Sequence, residues 1–311
     1  MKYPSHPLKL THFRLIDAVA THGQLSRAAE VMAITQPAAS RMLSEIEALI
    51  GAPLFERRSK GMEPTELGVA VARRAQALSR EMQDIAREVE ELKAGSAGEV
   101  HVGAVTGAAV GFVVSAITKL QNTHPQVQVH AAVAPSLALI TRLMAREFDF
   151  VLSRIPLDAD ATLFHARSAR PERVAFLAHR NHPLARLRNV GTAQLAAWPW
   201  VVQPAGTPIR EALTRAFLAE GVTPPTKLVN TTSLMMVTAL LGGTQNIAPV
   251  AREVADLFAG PGVTSDLVAL DLAQEITIAP YSLVSLRDRA LSPAAARMYA
   301  MIAEAIAAPI D

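Results

Sequence analysis

Apolar positions between residues 26 and 50 fall at helical spacing in two short runs joined by a tight turn. Ala28, Ala29 and Met32 stripe the first run, Ile34 plugs the turn, and Ala39, Met42 or Leu43, Ile46 and Leu49 or Ile50 stripe the second. The small alanines allow the two helices to cross closely. Thr35 is placed to cap the second helix, and Pro37 is tolerated in its first turn, where a missing N–H loses no intrahelical partner. The remaining face carries Gln36, Pro37, Ser40, Arg41 and Ser44. These side chains suit base edges and phosphates: Arg pairs two-pronged with guanine, Gln with adenine, Ser with either, and a proline ring can touch a thymine methyl. Ser26 and Arg27, at the start of the first helix, join this candidate DNA-reading set.

An ordinary helical hairpin with a solvated polar face would show the same pattern, and the continuation separates the two readings. Leu54 and Phe55 begin a short apolar strand, Arg57, Arg58 and Lys60 crowd a turn ending at Gly61, and Thr65 caps a return to helix. This reads as a wing beside the reading helix, with cations placed for phosphate or minor-groove contacts; the alternative is that they are only solvated. Leu10 to about Ala20 reads as a supporting first helix. From Thr65 to Lys93 a long polar helix carries Leu78, Met82, Ile85, Val89 and Leu92 at spacings of 4, 3, 4 and 3, a heptad seam. Such a stripe needs a cover, and the economical one is the same helix of a second copy; packing on its own chain is the alternative. Gly95-Ser96-Ala97-Gly98 then supplies a hinge.

Beyond Gly98 the period changes. Strands are predicted at Glu99–Val105, Val127–Val133, Phe148–Ser153, Val174–Ala178, Trp200–Gln203 and Tyr281–Leu286. Helices are predicted at Gly111–His124, Leu137–Glu147, Ile209–Glu220, Ser233–Leu241 and Pro293–Ala307. That alternation predicts an α/β architecture with mainly parallel sheet.

The chain resembles the LysR-type transcriptional regulators. The resemblance is carried by Leu25-Ser26-Arg27-Ala28-Ala29, Thr35-Gln36-Pro37-Ala38-Ala39-Ser40-Arg41, Leu54-Phe55-Glu56-Arg57 and Pro64-Thr65-Glu66-Leu67-Gly68. It continues more thinly through His182-Pro183-Leu184-Ala185, Trp198-Pro199-Trp200-Val201 and Leu291-Ser292-Pro293. Within the family the N-terminal part is most similar to regulators of sugar-uptake binding-protein genes.

The resemblance implies a winged helix-turn-helix domain over 1–64, a linker and dimerisation helix over 65–94, a hinge over 95–98, and an effector-binding domain over 99–311. That last domain would be built like a periplasmic binding protein. Its first lobe is placed at about 99–168 and 270–311 and its second at about 169–269, with crossings near Phe164–Arg170 and Leu267–Leu272. Ligands in such sheets bind beyond the carboxyl ends of strands. That selects Thr106, Ser136, Ser153, Arg154, Pro204 and Thr207 as effector contacts, with Asn246 matching the family's cleft-facing loop. Each hydroxyl has a helix cap as its alternative, Thr207 above all because Pro208 follows it. Arg154 either neutralises an acidic effector or pairs with Asp149 or Asp158.

Composition agrees. The chain has 311 residues, half of them apolar, enough for two or three cores. No segment is long and apolar enough to span a bilayer and the start lacks a signal-peptide core, so a cytoplasmic, non-membrane protein is expected. The absence of cysteine excludes disulfides, thiolate chemistry and Cys-ligated metal. Lys plus Arg (30) nearly balance Asp plus Glu (28), but residues 1–62 hold eight cations against five anions, an excess where DNA would be met.

Enzyme motifs are missing: the nine histidines are scattered, with no His-Glu-x-x-His, nucleophile elbow or phosphate-cradling loop. No catalytic residue, metal or cofactor is expected. The reading is a homodimeric or homotetrameric regulator that binds an interrupted inverted repeat in double-stranded DNA and responds to a small-molecule effector, a sugar or organic acid. The alternative is a cytoplasmic small-solute-binding protein with no regulatory role.

Overall fold

A computed structural model describes residues 8–58, 61–94, 98–260 and 265–308, apart from the side chains of residues 83, 84, 87, 88 and 90–94. The chain divides into two compact units, Met1–Gly98 with Met144–Glu147, and Glu99–Leu143 with Phe148–Asp311.

The first unit opens with helices α1 (Leu10–His22), α2 (Leu25–Val31) and α3 (Gln36–Ile50), followed by a two-stranded wing of β1 (Phe55–Arg58) and β2 (Gly61–Pro64) and by the long helix α4 (Glu66–Ala94). The predicted apolar stripes become the core: Leu15, Ile16, Val19, Ala28, Ala29, Ala39, Leu43, Ile46 and Leu54 are buried together. Each large aliphatic side chain so removed from water contributes about 1.5–3 kcal/mol. The tight turn between α2 and α3 passes through Ala33 in the left-handed region, φ 54°.

Two glycines set the wing. Gly61 has φ 139°, and a Cβ there would lie 2.2 Å from the Gly23 carbonyl oxygen, which instead accepts a 2.7 Å hydrogen bond from the Met62 N–H. Gly68 admits the Leu54 carbonyl at a position where a Cβ would approach it to 1.9 Å. The Thr65 hydroxyl accepts from the Gly68 N–H (3.0 Å) and donates to the Pro53 carbonyl (2.9 Å), so one side chain caps α4 and fastens it to the wing.

The second unit contains two mixed sheets. In its first lobe, β3 (Gly98–Ala104) leads through a helical turn α5 (Thr106–Ala108) and a π-helical turn at Ala109–Val113 into α6 (Val114–Thr123). Then come β4 (Val127–Val133), α7 (Ser136–Met144), β5 (Phe150–Ser153) and β6 (Phe164–Ser168). The second lobe comprises β7 (Glu172–His179), α8 (Thr192–Ala196), β8 (Trp200–Val202), α9 (Pro208–Ala219), β9 (Leu228–Asn230), α10 (Leu234–Leu241), β10 (Ile247–Ala251), α11 (Arg252–Ala259), β11 (Leu267–Ala269) and β12 (Ile276–Ile278). The chain returns through β13 (Ser282–Leu286) and ends in α12 (Pro293–Ala307).

Strand order is β4-β3-β5-β13-β6 in one sheet and β11-β7-β10-β8-β9 in the other, with β12 also on β7. The parallel pairs β3/β5, β10/β8 and β8/β9 match the expected alternation. Where the chain crosses between lobes, however, the strands run antiparallel: β13 against β5 and β6, and β7 against β10. The sheets are therefore mixed rather than mainly parallel.

The outward crossing falls between Ser168 and Glu172, at the end of the expected stretch Phe164–Arg170 and one residue beyond it. The return lies later than expected, between Ile278 and Ser282. β7 is eight residues long, and its outer edge takes β11 at Leu177–His179 and β12 at Glu172–Val174, which keeps residues 267–278 in the second lobe. The two crossing segments are tied by the Ala169 N–H donating to the Tyr281 carbonyl, 2.9 Å. Among the described residues no helix is long and apolar enough to cross a membrane.

Candidate nucleic-acid interface and ligand cleft

The first candidate face lies on α3. Its buried side, Ala39, Leu43 and Ile46, is sealed into the core, leaving Gln36, Pro37, Arg41 and Ser44 exposed and Ser40 half-buried on the other side. Thr35 occupies the N-cap position but its side chain makes no cap hydrogen bond, contrary to expectation; the free first-turn N–H groups and the Thr35 hydroxyl stay on the exposed face. The Ser44 hydroxyl is turned back on its own helix, donating to the Ser40 carbonyl at 3.1 Å.

On α2, Ser26 and Arg27 are exposed, and Arg27 pairs with Glu30 at 2.6 Å. On the wing, Arg58 sits between Glu56 (2.5 Å) and Glu63 (3.6 Å), whereas Arg57, like Arg41, has no ion pair among the described residues. Glu47, in the last turn of α3, accepts from the Leu54 and Phe55 N–H groups at 2.8 and 3.2 Å, so wing and reading helix are held as one piece. Lys60 and the hinge at 95–97 lie outside the described residues.

Along α4 the stripe changes environment. Ala72 and Ala75 are buried against the first unit, but Leu78, Met82, Ile85 and Val89 are 41–51% exposed. Four large apolar side chains on one helical seam are therefore left about half exposed among the described residues. The side chain of Leu92, the fifth seam position, lies outside the described set.

Of the residues expected to contact a ligand in the second unit, Ser136, Ser153 and Arg154 lie against one another. The Ser136 hydroxyl accepts from the Arg154 N–H and the Ser153 hydroxyl donates to the Ser136 carbonyl, each at 3.3 Å, and Thr106 opens α5. Thr207 and Pro204 lie together before α9, the Thr207 hydroxyl donating to the Pro204 carbonyl at 2.8 Å. Asn246 is elsewhere. It precedes β10, whose opposite end, Ala251, pairs with Val174 and approaches Gly107. The Asn246 amide is turned onto the Leu240 carbonyl and the Thr244 hydroxyl, a loop-fastening role.

Arg154 takes neither expected course. Its Nη2 donates to Glu172 Oε2 at 2.5 Å and its Nε to the Ala279 carbonyl at 2.8 Å, while Asp149 is held by Arg289 at 3.0 Å. The Arg154 and Glu172 side chains are only 18% and 4% exposed, so the pair is a buried tie between lobes rather than a surface ion. Sequence spacing gives no warning of it, because Glu172 enters only through the crossing.

Around this tie Gly107 and Gly111 of the π-turned helix admit Glu172 and Glu253: a Cβ on Gly107 would meet Glu172 Oε1 at 2.2 Å, and one on Gly111 would meet the Glu253 side chain at 3.0 Å. Burial, reinforced by the charges of Glu172 and Asp256, raises the Glu253 carboxyl above its ordinary pKa, and its Oε2 is buried without a hydrogen-bond partner among the described residues. Burial together with Glu253 and Glu172 likewise pushes the Tyr281 phenol well up. At the start of α9, Arg210 has a buried Nη1 without a partner among the described residues.

Comparison with known proteins places both units. The family model described as bacterial regulatory helix-turn-helix protein, lysR family, matches residues 10–69, and that described as LysR substrate binding domain matches residues 93–307. The chain is 39% identical over 253 residues to the HTH-type transcriptional regulator GbpR of Rhizobium radiobacter, covering 81% of this chain and 84% of that protein. It is 34% identical over 289 residues to GbpR of Azospirillum brasilense, covering 93% and 84%. Among solved structures, full-length CbnR complexed with its target DNA superposes with a TM-score of 0.68 at 18% identity, covering 96% of this chain and all of that one. A full-length OxyR variant from Pseudomonas aeruginosa gives 0.67 at 19% identity, covering 96% and 98%. At these identities the structural matches speak for the fold.

Proposed function

Since the chain belongs to the LysR family of transcriptional regulators, we propose a specific division of labour among its residues. It is a DNA-binding transcriptional regulator, and the reading surface is the α3 face of Gln36, Pro37, Ser40, Arg41 and Ser44. Ser26, Arg27, Arg57, Arg58 and Lys60 contact the flanking backbone or minor groove. The observation that carries this reading is Arg41: exposed, free of ion pairs among the described residues, and rooted on a helix whose opposite side is locked into the core and wing. The α4 seam of Leu78, Met82, Ile85, Val89 and Leu92 joins two copies, so that two reading faces meet successive major grooves of an interrupted inverted repeat.

The effector is a small polar molecule held between the lobes by Thr106, Ser136, Pro204 and Thr207, with the fully buried Ser153 supporting Ser136 from behind, and it shifts the placement of the DNA-binding units by its differential affinity for the two arrangements. With Arg154 committed to Glu172, a sugar needs no free cation, and an organic acid would be met by Arg210 instead. The protein acts in the cytoplasm and by binding rather than catalysis. The rival reading, a solute-binding protein without regulatory role, leaves the winged unit without a purpose.

The test is a mobility shift of the purified protein on DNA from immediately upstream of its own gene and from other promoters, against shuffled DNA of equal length at two salt concentrations. Salt-sensitive preference for genomic fragments is expected. Equal binding to every fragment at both salts would overturn the assignment.

A further inference from the structure

We propose that Glu99, His101 and His130 form a binding site for a first-row divalent metal ion, with Zn²⁺ the best fit, at the edge of the first lobe. Glu99 and His101 are two residues apart on β3, so their side chains leave the same face of the sheet, opposite Val100, Val102 and Ala104, which enter the core. His130 stands on β4, the edge strand hydrogen-bonded to β3. The two imidazole rings stack at 4.5 Å between centroids and 10° between planes. Glu99 Oε2 is 3.4 Å from His101 Nε2 and 4.0 Å from His130 Nε2, and the three ligand atoms lie within 4.8 Å of one another. It is the one such cluster among the described residues.

A tetrahedral zinc with bonds of about 2.1 Å sets its ligand atoms about 3.4 Å apart, so binding requires the two rings to turn out of their stack until both in-plane lone pairs point at the ion. The donor set selects the ion class. Two imidazoles and one carboxylate suit Zn²⁺ and its transition-metal neighbours, whereas Ca²⁺ and Mg²⁺ need mostly oxygen ligands.

The scaffold beneath the site is firm. The His101 N–H donates to Asp149 Oδ2 at 2.7 Å and its carbonyl accepts from the Asp149 N–H at 2.8 Å. The Asp149 carboxylate, 1% exposed, is in turn held by Arg289. The three ligand side chains are 32–53% exposed, open enough for an ion to enter and for water or an exogenous ligand to take the fourth position. All three belong to one lobe, so the site needs neither the cleft nor DNA. Its occupation ties the edge strand β4 to β3.

The test uses the untagged full-length protein, stripped with chelator. Zn²⁺ is titrated by calorimetry and Co²⁺ by visible absorption. One ion per chain with tetrahedral Co²⁺ bands is expected, weakened at least tenfold by His130→Ala and by Glu99→Gln. His165→Ala, which removes an exposed histidine elsewhere on the lobe, should leave binding unchanged. His130 is on an exposed edge, so its variant is expected to fold; far-ultraviolet circular dichroism verifies this, and Glu99→Gln decides independently. Failure of the wild type to bind micromolar Zn²⁺, or equal affinity in wild type and both variants, would overturn the proposal.

Discussion

Replacing Arg154 by Met leaves the Glu172 carboxylate buried without its counter-ion. The Glu172 side chain is 4% exposed and receives Nη2 at 2.5 Å, and Arg154 is itself 18% exposed. Breaking a buried pair from one side costs about 3–5 kcal/mol; the partial access of water on the arginine side puts Arg154→Met near the lower end, about 3 kcal/mol. Glu172→Gln is milder. Arg154 keeps its bond to the Ala279 carbonyl and can turn toward solvent, so about 1–2 kcal/mol is expected. The double variant removes both charges and should lose about 2–3 kcal/mol, less than the sum of the single losses by about 2 kcal/mol of coupling. Urea unfolding followed by tryptophan emission reads the second lobe, to which Glu172 belongs, because both tryptophans, Trp198 and Trp200, lie there and Trp200 is buried. One probe also avoids mixing the transitions of two units. Single-variant losses that add within about 0.5 kcal/mol in the double variant would refute the tie, as would an Arg154→Met loss below about 1 kcal/mol.

Three further outcomes follow from the same geometry. Burial raises the Glu253 carboxyl, so its charge opposes folding above the raised value; that cost is relieved as pH falls through it and is gone below the ordinary glutamate range. Glu253→Gln should therefore be more stable than wild type at pH 7, with the difference closing on acidification in denaturation series at several pH values; a gap that widens toward low pH would contradict the sign. Arg41→Ala should weaken binding by about 1–3 kcal/mol on the preferred site and relax preference at one base, read by competition on single-base variants of that site; equal loss on all sequences would make Arg41 a phosphate contact. Leu78→Glu combined with Val89→Glu should reduce the sedimentation coefficient and abolish specific binding, and an unchanged coefficient would discard the α4 seam as the subunit contact.

The DNA-binding unit was more legible than the cleft because its determinants are close in sequence. The turn sealed by Ile34, the wing closed by Gly61 and the Thr65 cap with its Gly68 approach all act within a span of some fifty residues, where helical spacing and turn chemistry are strong guides. Thr35 shows the limit of that guidance: its type and position are those of a cap, but its side chain does not close on the helix. In the cleft, strand ends were assigned from a pattern that gives each strand's existence but not its direction or edge. β11 and β12 are three residues each, too short to show an alternation, and the length of β7 alone explains why they stay in the second lobe. Asn246 was placed in the cleft by the resemblance, whereas the register of β10 puts that end of the strand beside Ala178. Arg154 was matched to Asp149 and Asp158, its neighbours in sequence, although the crossing brings it Glu172.

The histidines make the same point more sharply. A search along the chain looks for ligands at helical or turn spacings, and by that measure nine histidines in 311 residues are scattered. A strand pair obeys a different rule. Two positions at spacing two on β3 share a face, and any residue of β4 that stands beside them joins that face, however far it lies in sequence. His130 is 29 positions beyond His101, separated from it by the rest of β3, the π-turned helix and α6, and only the order β4-β3-β5 brings the rings together. Had the strand after α6 paired on the far side of β5, the same sequence would hold Glu99 and His101 with no third ligand. The site is therefore a property of strand order, and edge insertion of β4 is the step of the fold on which it depends.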